Sequence, residues 1–412
     1  MSEERSDALD IVEAGLSAID TVEAIREHIS VAGNQLKIKD KILDLDNYKN
    51  VYIVGFGKVV CVAAKEVETI LSGRVSDGAV VGIKEQVCQV VDTYAGTHPK
   101  PSHLNYTASK HIAEVAKKAC EDDLVLVIVS GGGSALLCSS MSEYKQGQRL
   151  YTEFLSSGGT IEELNIVRKH ISTLKGGGLA KLLYPATVVG LIFSDIPGGD
   201  SASVASGPTY KDESTATDAE GIIKKYQLDN YHLVETPKED KWFERVTNIE
   251  IVTNELALQA MKKKAMELKY RVDILGSGFY NSPEETQQLF AKSRDQGTVY
   301  LAGGETVLKV PSECIGKGGR NDFLAMYMLP YLESWQTFVS VASDGYDNSE
   351  TAGAIADKFV SEKACEKKIE RQDYMECLDS WNFYNQVGGH IKTGKLESNV
   401  SDLFFLLNSK HD

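Results

Sequence analysis

Four glycine clusters are the segments of this chain best suited to chemistry. They are Gly55-Phe56-Gly57-Lys58, Ser130-Gly131-Gly132-Gly133-Ser134, Lys175-Gly176-Gly177-Gly178 and Gly316-Lys317-Gly318-Gly319-Arg320. Each follows an apolar run or opens a helical segment. A strand that leads through glycines into a helix gathers backbone N–H groups at the positive end of that helix, which makes an anion site with phosphate as its natural occupant. One glycine pair alone is equally well explained by a tight turn. Four clusters with cations attached point to phosphate. Lys58 and Arg320 each stand at the start of a predicted helix, where the macrodipole opposes positive charge by about 0.3–1 kcal/mol. A bound anion would remove that conflict. The expected phosphate-binding residues are Ser130, Gly131, Gly132, Gly133 and Ser134, together with Lys175, Gly176 and Gly177. Lys58 and Arg320 are the cations expected to flank a transferred group, arginine being suited to bidentate contacts with carboxylate or phosphate.

Standard nucleotide motifs do not fit. The Walker A loop needs Gly-Lys followed by Ser or Thr, whereas Val59 follows Lys58 and Gly318 follows Lys317. Gly55 and Gly57 begin a dinucleotide fingerprint whose third glycine position is Val60. That weakens a nicotinamide-dependent reductase without excluding it.

Acidic residues at strand ends form the second group. Asp195 lies in Ser194-Asp195-Ile196-Pro197-Gly198-Gly199-Asp200, Glu305 follows Gly303-Gly304, and Asp344 precedes Gly345. Hard oxygen ligands of this kind suit Mg2+, which takes one or two carboxylates and completes its shell with phosphate and water. Asp195 and Glu305 are the expected metal ligands, and Asp195 and Asp200 the candidate general bases. An Asp before Gly or Pro equally caps a turn, and Asp347 reads as a turn residue. His98 and His170 stand in site-like contexts, but no HxxxH or HxH spacing supports zinc.

Elements that could position these residues follow from the apolar runs. Continuous runs at 51–54, 78–83, 124–129 and 186–194 predict strands buried on both faces, with helices over 59–71 and 106–119 between them. This is the pattern of a doubly wound α/β layer. A polar stretch over 211–241 is followed by further strand candidates at 271–275, 298–302, 307–310, 337–341 and 403–407. The expectation is an α/β chain with a larger Rossmann-like doubly wound domain over 1–241 and a smaller mixed α/β domain over 242–412.

At 412 residues, with 42% hydrophobic and 25% charged side chains, the chain can bury a substantial core. Its net charge of −15 repels nucleic acid and anionic membranes, and no basic patch offsets it. Seven cysteines without a CxxC pair show neither disulfide nor zinc spacing, which fits a reducing cytoplasm. An acidic, amphipathic beginning and the lack of any run of about 18 apolar residues suggest neither secretion nor a membrane span. Association into a homodimer is left open.

Eight ordered motifs resemble the class II glycerate kinases, the glycerate 2-kinase family whose C-terminal domain is called MOFRL. They are VGFGK (54–58), THPKPS (97–102), VSGGGSALL (129–137), NIVRKHISTLKGGGLA (165–180), SDIPGGDSASVASGPT (194–209), AGGET (302–306), GKGGRND (316–322) and SDGYDNSETAGA (343–354). The resemblance implies a larger Rossmann-like domain and a smaller mixed one with the active site between them. It also implies catalytic roles for Lys58 and Arg320, and transfer of phosphate from ATP to D-glycerate at the 2-position. Two departures stand out: the family's TGPTGTNVND is TGKLESNVSD here (393–402), and Asp322 replaces a common glutamine. The rival readings are an NAD(P)-dependent hydroxypyruvate reductase and a non-catalytic nucleotide or sugar-acid sensor.

Overall fold

The computed structural model describes residues 2–410 apart from 156, 312, 313 and 315. The chain packs as two compact units, one built from residues 21–194 and 200–252, the other from the first 20 residues, 195–199 and everything after 252.

The first unit opens with a small antiparallel sheet, β1 (Ile29–Ala32), β2 (Gln35–Ile38) and β3 (Lys41–Asp44). Its main sheet contains β4 (Val51–Phe56), β5 (Asp77–Gly82), β6 (Asp92–Ala95), β7 (Leu124–Ser130), β8 (Thr187–Phe193) and β9 (Val246–Val252). Every residue of β4 and β7 is buried, as their unbroken apolar runs require when helices cover both faces. The strand order is β6-β5-β4-β7-β8-β9 and every pairing is parallel. The chain starts at the centre, runs outward to β6, returns to β7 beside β4 and runs outward again. The order therefore reverses between β4 and β7, where open α/β sheets leave a crevice at the strand ends for ligands.

The second unit holds a mixed sheet of β10 (Arg271–Asn281), β11 (Thr298–Thr306), β12 (Gln336–Ala342), β13 (Gly353–Ala356), β14 (His390–Ile391) and β15 (Asp402–Asn408), in the order β10-β11-β15-β12-β13-β14. Only β10 and β11 pair in parallel. Phe323, Leu324, Phe338, Phe383, Tyr384 and Phe404 form the centre of its core. The strand expected at 307–310 does not form: β11 ends at Thr306, and Val307 and Val310 are exposed.

Two segments cross the expected division at 241/242. β9 pairs with β8 and so extends the first unit to residue 252. Helix α1 (Glu3–Ala18) packs instead with the second unit, against the helix Asn254–Glu267. A Cβ on Gly15 would stand 2.7 Å from Met261 Cγ, and Asp7 accepts a hydrogen bond from Tyr270 at 2.8 Å.

Candidate active site

In the first unit, β4 and β7 both end in glycine loops at the reversal point. The Lys58 amide donates to the carbonyl of Gly131 at 2.9 Å, so the two loops are joined. Gly57 adopts φ +137°, and a Cβ there would collide with the Ser130 side chain, which explains why glycine precedes the lysine. The buried Ser130 hydroxyl accepts from the Val59 amide at 3.3 Å, and Val59 caps the helix α2 (Val60–Leu71). Gly132 sits at φ +79°; a Cβ on it would lie 3.0 Å from His98 Cδ2 and 3.1 Å from Lys58 Cγ. Lys58 and His98 therefore pack around the same glycine. His98 keeps an exposed face. Burial of its inner face, reinforced by the charges of Lys58 and Arg168, holds the imidazole below its ordinary range.

Backbone bonding distinguishes the glycine loops. The N–H groups of Gly131 and Gly132 donate to no group among the described residues, so they are available to an anion. The third cluster differs. Gly176 donates to the Ser206 carbonyl at 2.9 Å, Gly177 to the Gly207 carbonyl at 2.8 Å, and Gly178 to the Lys175 carbonyl at 3.0 Å. Lys175 is buried, donating to the Leu137 carbonyl at 2.6 Å and pairing with buried Glu143. The expectation that Lys175, Gly176 and Gly177 bind phosphate is thus corrected: their donors are consumed internally. Their structural task is to hold the segment of Ala205, Ser206 and Gly207, all left-handed at φ 53°, 61° and 59°. Such strain in non-glycine residues persists only where the surroundings enforce it, commonly at functional sites. The Ser206 hydroxyl lies 2.8 Å from that of Ser134.

The second unit presents Arg320 as the first residue of helix α3 (Arg320–Met328). The conflict expected between its charge and the helix dipole is resolved within the protein. Arg320 pairs with Glu305 at 3.1 Å and with buried Asp402 at 2.8 Å. Burial lowers its pKa, but Asp402, Glu305 and Asp347 outweigh that and leave it raised. The helix N-terminus itself holds Asp347, whose carboxylate accepts the amides of Asn321 at 3.0 Å and Asp322 at 2.8 Å. Asp347 is accordingly no simple turn residue: it is a buried cap supplied from a distant loop. Arg320, Asp347 and Asp402 line a cavity of about 300 Å³, together with Gly318, Gly319, Ser343 and Asp344.

Three carboxylates near this helix start depart from ordinary behaviour. Burial raises Asp322 to about 7, with Asp347 adding repulsion. Burial likewise raises Asp402 to about 7 against the pull of Arg320. Asp347 is raised by burial although its amide donors oppose the shift. Sequence patterning missed this cluster because its members come from three separate segments.

Among the described residues no group of three or more His, Cys, Asp or Glu side chains gathers as a metal site. Glu305 has Arg320 as its partner, which leaves it poorly suited to a resident ion. The Asp195 carbonyl accepts from Ser401 at 2.8 Å. Asp200 accepts from Ser203 and so serves its own turn. His170 is buried, its ring nitrogens 2.9 Å from the Val234 carbonyl and 3.3 Å from the Ser214 hydroxyl, and is structural. A Cys314–Cys377 disulfide, which the cysteine spacing did not suggest, is accompanied by a hydrogen bond from the Gly316 amide to the Cys377 carbonyl at 2.6 Å. No helix among the described residues is long and apolar enough to cross a membrane.

A parallel sheet whose strand order reverses between two joined glycine loops defines a doubly wound α/β protein. The comparisons with known proteins narrow this. Residues 7–236 match a domain of unknown function, DUF4147, and residues 298–402 match the MOFRL family. Glycerate 2-kinase of Pyrococcus horikoshii is 29% identical, covering 96% of this chain and 97% of its own. A protein of Agrobacterium vitis with the provisional name hydroxypyruvate reductase is 31% identical over 77% of each chain. The crystal structure of glycerate kinase from Thermotoga maritima aligns with a TM-score of 0.87 and 28% identity, over 98% of this chain and 99% of that one. The chain belongs to the class II glycerate kinases, the family with a C-terminal MOFRL domain.

Proposed function

We propose that the protein transfers the γ-phosphoryl group of ATP to the C2 hydroxyl of D-glycerate, giving ADP and 2-phosphoglycerate. The observation that carries this reading is the pair of joined loops at the reversal of strand order, where free amides of Gly131 and Gly132 stand beside Lys58. The names of the relatives supply the substrate and the position of transfer.

Phosphoryl transfer asks a protein mainly for positioning and charge neutralisation. In this reading the Gly131 and Gly132 amides hold nucleotide phosphate oxygens and Lys58 neutralises charge on the group in transit. Arg320, its fork oriented by Glu305 and Asp402, faces the hydroxy-acid carboxylate. As the glycerate oxygen bonds to phosphorus, the bond to the ADP oxygen breaks, and a loose transition state needs little help from a base. Mg2+ arrives with ATP as part of the substrate. One carboxylate suffices for such an ion, and Asp195, just beyond β8, is the candidate. A cytoplasmic location goes with ATP as donor.

A hydroxypyruvate reductase would need its dinucleotide at the same loops, where Val60 starts α2 in place of the fingerprint's third glycine. The deciding experiment incubates purified protein with ATP, Mg2+ and D-glycerate and identifies the phosphorylated carbon by phosphorus NMR. The expected product is 2-phosphoglycerate. Absence of glycerate-dependent ADP formation, or oxidation of NAD(P)H by hydroxypyruvate in its place, would overturn the reading.

A further inference from the structure

Arg168 lies in the last turn of the helix Ile161–His170, inside the motif NIVRKH. The ordinary explanation for cations there is the negative end of the helix dipole. Its neighbours answer to a carboxylate: Lys169 pairs with buried Asp212 at 3.0 Å, and His170 stands 3.5 Å from the same residue. Arg168 points to a different set of partners. It meets no carboxylate among the described residues, and its guanidinium donates a hydrogen bond to Asn165 Oδ1 at 3.4 Å. The same Oδ1 accepts from Ser206 at 3.4 Å, and Ser206 lies 2.8 Å from Ser134 in the glycine loop. A chain of polar contacts thus ties Arg168 to the loop whose amides are free.

Charge gives a second, independent link. Arg168 and Lys58 both act on His98, which packs against Gly132, and both lower its pKa. Partial burial lowers the Arg168 guanidinium itself to about 10. Lys58 and Arg168, two cations without a carboxylate partner among the described residues, both act on His98 beside loop amides that donate to nothing, which makes this locality positive in a chain of net charge −15. The strained backbone at Ala205 and Ser206, held by the Gly176 and Gly177 amides, fixes the Ser206 hydroxyl that orients Asn165.

We propose that Arg168 is an oxyanion-binding residue, gripping with Lys58 either the phosphate chain of the nucleotide or the carboxylate of the hydroxy acid. Its kinetic consequence rests on the phosphoryl-transfer reading; its binding consequence does not. A planar guanidinium presents paired donors to either oxyanion, which a lysine can match in charge but not in geometry.

The test compares the wild-type chain with Arg168→Gln and Arg168→Lys by calorimetric titration with two probes, tripolyphosphate and D-glycerate, and by steady-state kinetics. Arg168→Gln is expected to weaken one probe by about ten-fold or more, and which one names the source of the oxyanion. The KM of the corresponding substrate should rise more than kcat falls, with Arg168→Lys intermediate. Without either probe the Arg168→Gln melting temperature should stay the same or rise, because removing an unpaired, partly buried charge costs nothing. Unchanged affinity for both probes would overturn the proposal, as would a melting temperature lowered equally with and without them. If the protein proves unable to phosphorylate glycerate, the two titrations together still decide whether Arg168 binds an oxyanion.

Discussion

The Lys58 amide donates to the Gly131 carbonyl at 2.9 Å, linking the loop after β4 to the loop after β7 across the point where the strand order reverses. That single bond places a lysine from one glycine loop beside the free amides of another. The backbone contact leaves the side chain uncommitted: Lys58 has no ion pair among the described residues. Its ammonium is therefore available for a ligand.

Replacing it should separate chemistry from stability. Lys58→Met is expected to lower kcat by about 100-fold or more, the scale on which lost transition-state stabilisation is commonly read, with a nearly unchanged melting temperature. Steady-state kinetics and calorimetric melting on one preparation check both halves. A turnover near wild type in the folded variant would remove Lys58 from the reaction.

Much of this arrangement is legible in the sequence, and the reasons differ by residue. β4, β7 and β8 are buried on both faces, so their apolar runs are unbroken. β6 and β9 lie at the sheet edges with half-exposed residues, and their polar content hides them. The loop holding Lys58 stands out because glycine and lysine occur at a strand end. Lys175 has the same local appearance, yet Glu143, 32 residues away, takes its charge. No local pattern distinguishes those two lysines. Arg168 escapes notice for the converse reason: it sits among basic neighbours, and its lack of a carboxylate is visible only in three dimensions. Asp347 resembles a turn residue because the amides it caps lie 25 and 26 residues away.

Capping by Asp347 should be measurable. Asp347→Ala removes the acceptor for the Asn321 and Asp322 amides and strips one negative charge from beside Arg320. Loss of a buried charged cap costs about 2 kcal/mol or more, so urea unfolding should show a lower midpoint with an unchanged slope. Turnover should also fall, because Arg320 begins the helix that would fray. A midpoint equal to wild type would contradict this account of how Arg320 is held.

The disulfide makes a chemical prediction. Of the seven cysteines, Cys61, Cys88, Cys120, Cys138 and Cys365 are free. Protein prepared without reductant and then denatured should titrate five thiols, and seven after reduction. Reduction should lower thermal stability, since cross-links of this kind typically contribute about 2–4 kcal/mol. The second unit should be the part affected, because both cysteines belong to it. Seven thiols before reduction would show that the pair stands open under those conditions.

Asp322 supplies a dependence on pH whose sign can be worked out. Its carboxyl is fully buried and raised to about 7, chiefly by burial and then by Asp347. An unfolded aspartate titrates near 3.9. Between these values the folded chain holds a proton that the unfolded chain has released, so this group's contribution to stability falls as pH rises from about 4 through 7. Thr351 donates to Asp322 Oδ2 at 3.1 Å, whereas Oδ1 is buried without a partner, a position where an added amide donor meets no cation. Asp322→Asn removes the ionisation while keeping an acceptor for Thr351. The variant should therefore gain on wild type by roughly 1–3 kcal/mol between pH 5 and pH 8, with most of the difference appearing at the alkaline end. Asp402 shares the same direction, so the wild-type decline should be reduced by the substitution without vanishing. Melting curves of both proteins across that range decide the matter: parallel pH profiles would mean that Asp322 is ionised in the folded protein at the acid end of the range, contrary to its buried setting.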